Sequence, residues 1–191
     1  MNNVRVGFAM CGSYCTFARV IPIIEKLKSD GADVTPIMSE NVYCTDTRFG
    51  KAQEHINRIE DICNKKIIST IKDAEPIGPK KLLDILIIEP CTGNTLGKLA
   101  NGITDTSVTM AAKAHLRNNR PVLIAVSTND GLSTSAKNIG ILHNCKNIYF
   151  VPYRQDDPLY KENSLVADFD RTIVAMHNAL ENRQLQPIIL Q

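Results

Sequence analysis

The chain has 191 residues, 43% of them hydrophobic and 22% charged, with a formal net charge of +2. This is too apolar for a disordered chain and near the ~100–200 residues of one domain, which excludes two full enzyme domains. Lys+Arg 22 against Asp+Glu 20 gives no basic field for a phosphate backbone, and five Phe, five Tyr and no Trp offer few stacking platforms, so nucleic acid is not an expected partner.

Residues 4–10 form a short apolar run that stops at Cys11-Gly12-Ser13-Tyr14, and apolar residues then recur at Phe17, Val20, Ile21, Ile24 and Leu27. This predicts a strand, a tight turn and an amphipathic helix ended by Gly31. Residues 32–38 return to an extended pattern, 39–50 read as a polar loop and 52–63 as a helix. The connector Glu75-Pro76-Ile77-Gly78-Pro79 leads into residues 82–89, whose continuous apolar character suits a strand buried on both faces. Helices are predicted over 95–101 and 106–118, a strand over 121–126, a helix over 134–143, a last strand over 148–151 and a closing helix over 165–180.

Strands alternating with helices predict one α/β domain over residues 1–191, a doubly wound parallel sheet with helices on both faces and a C-terminal helix and short tail from about residue 164. No apolar run approaches the ~20 residues of a membrane span. Met1-Asn2-Asn3-Val4-Arg5 lacks the basic and apolar regions of a secretory signal, which predicts a cytoplasmic protein. Cys11, Cys15, Cys44, Cys63, Cys91 and Cys145 are scattered without metal-ligand spacing, so reduced thiols and no metal are expected.

In such folds ligands bind beyond the carboxyl ends of the strands. Gly7 and Gly12 have the glycine spacing of a P-loop, but Ser13-Tyr14 stands where Lys-Ser/Thr is required, and no Gly-x-Gly-x-x-Gly opens the first helix. A triphosphate or a dinucleotide held by this chain alone is therefore not expected. What remains is Gly12-Ser13 at a helix start, where free N–H groups attract an anion, or where Ser13 serves only as a cap. Arg48 and Arg154 fall in expected loops and offer planar forks for a dicarboxylate, with surface ion pairs as the competing role. Asp156-Asp157 before Pro158 reads as an acid/base pair or as a turn, and Cys11 and Cys91 lack a neighbour that would make a thiolate.

The segment Pro90-Cys91-Thr92-Gly93-Asn94-Thr95 resembles the Pro-Ala-Ser-Ala-Asn-Thr motif of the homo-oligomeric flavin-containing cysteine decarboxylases, and Ala100-Asn101-Gly102-Ile103-Thr104-Asp105 also looks like that family. The resemblance implies a flavodoxin-like (Rossmann-like) three-layer sandwich that binds FMN. It places Gly12 and Ser13 on the FMN phosphate, Ser39 at the second-strand serine, and Thr92, Asn94 and Thr95 in the motif. Asn129 is the one match to the family's Pro-x-Met-Asn segment. Thr45-Asp46-Thr47-Arg48-Phe49-Gly50, Glu75-Pro76-Ile77-Gly78-Pro79-Lys80, Ser127-Thr128-Asn129-Asp130, Gln155-Asp156-Asp157-Pro158 and Leu185-Gln186-Pro187 narrow the resemblance, over nearly the whole chain, to a B-subunit branch from spore formers.

That branch implies an A-subunit partner resembling an NADP-dependent oxidoreductase. It also implies the oxidation of a dihydro- or hydroxytetrahydro-dipicolinate to pyridine-2,6-dicarboxylate in the mother cell, and a homo-oligomer built as a trimer or its multiple. Two other functions stay open at this point: a non-catalytic partner that activates the A subunit, and a standalone FMN-dependent decarboxylase. Decarboxylating relatives carry a catalytic histidine just before the buried strand, where Glu75-Pro76-Ile77-Gly78 has none, so no catalytic residue is assigned.

Overall fold

The computed structural model describes residues 3–191; Met1 and Asn2, part of the N-terminal stretch read above, lie outside the described residues. In chain order the elements are β1 (Arg5–Met10), α1 (Phe17–Ser29), β2 (Asp33–Met38), α2 (Glu40–Cys44), α3 (Ala52–Cys63), α4 (Ile71–Ala74) and β3 (Ile85–Cys91). There follow α5 (Gly93–Ala100), α6 (Ser107–Leu116), β4 (Val122–Thr128), α7 (Ala136–His143), β5 (Ile148–Phe150), β6 (Tyr153–Asp157), β7 (Lys161–Ala167) and α8 (Thr172–Leu180).

Five strands pair in parallel in the order β2-β1-β3-β4-β5, the flavodoxin-like arrangement. The central strands hold the register Val6 to Val34 and Ile85, and Leu86 to Val122. All seven residues of β3 are buried, which accounts for the apolar run over 85–88, and Glu89 is buried with them. Helix α1 packs beside α3 and α8, while α4 packs on α6 and α5 packs on α6 and α7. Val20, Ile21, Ile24 and Leu27 of α1 are all buried, as their helical spacing predicted.

The expected parallel sheet is thus present, but an antiparallel extension makes the whole sheet mixed. Strands β6 and β7 form an antiparallel hairpin, and β7 runs antiparallel to the end of β4, with Ser127 opposite Val166 and Thr128 opposite Leu165. Parallel β5 pairs only with Val122 to Ile124, so the hairpin takes over the edge where β5 stops. The C-terminal elements differ accordingly from the sequence pattern: β5 is not the last strand, β7 reaches Ala167, and α8 begins at Thr172 rather than at 165. The hairpin strands are mostly polar, and their exposed residues fall in the blocks 154–156 and 161–163, so they show none of the alternation that marks a half-buried strand. Helix α2 occupies part of the expected polar loop, and α4 forms within the connecting region before β3.

Candidate functional site

The site lies where the strand order reverses, between the loops after β1 and β3. The Cys11 N–H donates to the Pro90 carbonyl (3.2 Å), carrying the β1–β3 ladder one residue past the sheet. The chain then turns within three residues, with the Ser13 N–H donating to the Cys11 carbonyl (2.8 Å). Ser13 caps nothing with its side chain. Its hydroxyl instead lies 2.8 Å from that of Ser127 at the end of β4, so two hydroxyls meet across the crevice.

On the other side Thr92 caps α5, accepting from the Thr95 N–H (3.4 Å), while the Thr95 hydroxyl donates to the buried Cys11 sulfur (3.2 Å). The loops after β3 and β4 touch at Gly93: a Cβ there would stand 2.5 Å from Asp130 Oδ1 and 2.7 Å from the Ser135 and Thr128 hydroxyls. Those groups already form a network, the Thr128 and Ser135 hydroxyls donating to the Asp130 carboxylate. Glycine is required at that position by close approach.

Two cavities open side by side on this frame. The first, of about 470 Å³, is lined by Ser13, Ser127 and Asn129, by Arg19 and Phe49, and by Lys161, Leu165 and Val166 of the hairpin. The second, of about 680 Å³, is lined by Ser39, Glu40, Asn94, Thr95 and Lys98 among others. Gly12, Tyr14 and Thr92 line both and form the dividing wall. The Tyr14 ring lies 3.3 Å from where a Gly12 Cβ would stand, and its hydroxyl donates to the Asn41 carbonyl (3.0 Å).

The family model for Flavoprotein matches residues 1–180. The chain belongs to the Flavoprotein family. It is 48% identical to the dipicolinate synthase B subunit of Bacillus subtilis (strain 168) over 191 residues, all of this chain and 96% of that one. The crystal structure of the dipicolinate synthase B subunit from Bacillus halodurans C superposes with a TM-score of 0.91 at 44% identity, covering 100% and 99% of the two chains. At 17% identity, Burkholderia xenovorans DmrB, solved in complex with FMN as a cubic protein cage, shares the fold with a TM-score of 0.69 over 93% and 96%.

Within this Flavoprotein chain, the seven residues expected at a cofactor all line the cavities: Gly12 and Thr92 on the wall, Ser13 and Asn129 in the first, Ser39, Asn94 and Thr95 in the second. The two arginines expected at a dicarboxylate line neither. Arg48 is exposed and stacks on Phe49 (4.9 Å), whereas Arg154 is exposed on β6. The cations in the cavities are Arg19 and Lys161 in the first and Lys98 in the second, all missed in the sequence: Arg19 falls on the solvent face of an amphipathic helix, Lys161 on a strand no pattern predicted, and Lys98 within a helix with no signal of its own. Lys161 pairs with Asp156 and Lys98 with Asp105. Asp157 accepts from the Leu159 and Tyr160 N–H groups, so the Asp156-Asp157-Pro158 segment makes an ion pair and a turn.

Among the described residues no histidine lines either cavity. His115 is buried, its Nε2 bonded to the Pro121 carbonyl (3.1 Å), and burial pushes its pKa down to about 4. His143 stacks on Phe150 (4.0 Å) and meets the Tyr153 hydroxyl (3.0 Å), and His55 packs edge-on against Phe17. All six cysteines are free, and burial pushes the Cys11 thiol up to about 11 and the Cys91 thiol well above its ordinary value. Both stay protonated, so neither is an activated nucleophile.

Proposed function

We propose that this chain works as the B subunit of a dipicolinate synthase in the mother cell of a spore former, holding FMN on the wall between its cavities and the cyclic dicarboxylate substrate in the first. The observation that carries this reading is full-length similarity to two such subunits together with a cavity pair lined by all seven expected cofactor residues. The donor set suits FMN. Both cavities fall in the ~300–1,000 Å³ range of cofactor sites. The Ser13 hydroxyl and its hydrogen-bonded neighbour Ser127 suit a phosphate, while Thr92, Asn94, Thr95 and Ser39 offer the mixed donors and acceptors that a polyhydroxyl chain and a heteroaromatic edge require. Asn129 completes the set from the loop after β4.

FMN, when bound, supplies two-electron transfer. The chain's own residues orient and enclose. Hydroxyls of Ser13 and Ser127 bind anionic oxygen, Leu165 and Val166 exclude water from one side, and Phe49 offers a ring face to a planar substrate. An NADP-dependent A subunit takes the hydride released when a dihydro-dipicolinate becomes pyridine-2,6-dicarboxylate, the remaining proton passing to solvent; a hydroxytetrahydro-dipicolinate first loses water. Decarboxylation is disfavoured by the absence of any histidine along the cavities among the described residues.

The test mixes the two purified subunits with substrate and NADP and follows dipicolinate and NADPH together. Formation of both only in the mixture supports the reading. Full turnover by either chain alone refutes the division of labour, and an absorbance spectrum showing that the chain takes up no added FMN refutes the cofactor.

A further inference from the structure

Arg19 is the first-cavity cation with no ionic partner: none of the ion pairs or side-chain hydrogen bonds among the described residues involves it, whereas Lys161 holds Asp156 at 2.7 Å. Its guanidinium carbon lies 4.9 Å from the centroid of the Phe169 ring. That ring is buried and holds the exposed Arg19 side chain by a cation–π contact, while no protein group among the described residues takes its N–H donors. Arg19 also stands in the first turn of α1, where the helix dipole opposes a cation and where no acidic residue offsets it. Of the carboxyl groups near it, Glu89 on β3 is fully buried and engages the Thr172 hydroxyl (2.8 Å), and Asp156, which lines the same cavity, is held by Lys161 (2.7 Å). A guanidinium held on an aromatic face at a cavity wall, with no carboxylate partner of its own, offers its N–H donors to an anion.

The geometry points to Arg19 as the carboxylate anchor of the first cavity, binding one carboxylate of a planar cyclic dicarboxylate through its guanidinium fork. This rests on the reading of the first cavity as the substrate site. The surroundings favour a planar carboxylate over a bare phosphate. The same cavity is lined by Phe49, Leu165 and Val166, apolar groups that suit a ring, and Lys161 on the hairpin is placed for a second carboxylate once it parts from Asp156. Arg48 and Arg154, the forks expected from the sequence, stand outside this cavity.

Isothermal titration in phosphate-free buffer tests the assignment on the full chain, with pyridine-2,6-dicarboxylate as probe and pyridine-2-carboxylate and FMN as controls. Arg19→Gln is expected to weaken the dicarboxylate by roughly 10- to 100-fold, the worth of a charge-assisted contact. Arg19→Lys, which keeps the charge and loses the fork, is expected to fall between. FMN uptake and the thermal midpoint are expected to stay at the wild-type value in both variants. Wild-type chain that binds no dicarboxylate, or an Arg19→Gln variant that binds it as tightly as wild type, overturns the assignment. So does loss of FMN with the dicarboxylate unaffected, which would give Arg19 to the cofactor phosphate. Wild-type chain that takes up no FMN while Arg19→Gln still loses the dicarboxylate defeats the flavin reading alone.

Discussion

Glu89 offers a quantitative test of how the site is held. Its carboxyl is fully buried on the central strand, Oε2 accepts from the Thr172 hydroxyl at 2.8 Å, and Oε1 has no partner. Burial pushes its pKa up to about 8, against the smaller opposing pulls of Thr172 and of the positive Arg19. In the unfolded chain the group ionises near its ordinary value of 4.5, so between pH 4.5 and 8 the folded state holds a proton that the unfolded state has lost. Its contribution is therefore fully present below pH 4.5 and is lost as pH rises through 8, a difference on the order of 4–5 kcal/mol. Glu89→Gln keeps the shape and an acceptor for Thr172 while removing the titration. Denaturant unfolding of both proteins at several pH values from about 5 to 8.5 should show wild type losing stability relative to the variant as pH rises, because the other titrating groups are shared and cancel. Parallel curves would refute the protonated, buried carboxyl. They would also remove the reason why Arg19 stands uncompensated.

Ser13→Ala should weaken FMN by roughly tenfold through one lost contact to an anion, and Ser127→Ala should do likewise because the two hydroxyls act as a pair; fluorescence titration that gives wild-type affinity removes them from the site. His115, held neutral with a pKa of about 4 against 6.5 in the unfolded chain, contributes stability that is present above pH 6.5 and lost as pH falls through 4. Denaturant unfolding between about pH 7 and 4 should accordingly show a loss on the order of 3 kcal/mol that His115→Gln does not share. Self-association as a trimer or its multiple is expected, with the apolar hollow of Leu99, Ile103 and Leu116 as an available face; sedimentation that shows only monomer at micromolar concentration speaks against it.

The alternating elements were legible because each is a local property, and the residues that line the cavities were named by the motif resemblance. β3 reads as an unbroken buried run, and α1 as a stripe at helical spacing. Gly12, Ser13, Thr92, Asn94 and Thr95 sit just beyond strand ends that those patterns locate closely. Three features were not legible. The β6–β7 hairpin is held by pairing Val166 and Leu165 against Ser127 and Thr128, contacts far apart in the chain that no local pattern encodes. The role of Ser13 depends on whether its hydroxyl turns toward its own helix or across to Ser127, which is a tertiary choice. Arg19 reads as one more residue on the solvent face of an amphipathic helix.

The hairpin changes that last reading. In an open doubly wound sheet the crevice beyond the carboxyl ends faces water, where a free guanidinium is ordinary and an ion pair is worth about 1 kcal/mol or less. Here β7 continues the edge of β4 past the end of β5 and brings Lys161, Leu165 and Val166 over the crevice, so that the same helix turn becomes one wall of a cavity. Walling off one side strengthens the charge interactions there, because fewer water dipoles oppose them, while Arg19 itself stays exposed. A hairpin whose strands carry almost no pattern of their own is thus what converts an ordinary surface arginine into a candidate receptor. Variants that loosen the pairing of Leu165 and Val166 with β4 are expected to weaken dicarboxylate binding in the same titration even though Arg19 itself is intact, and undiminished binding by a variant with the hairpin detached would show that the guanidinium needs no enclosure.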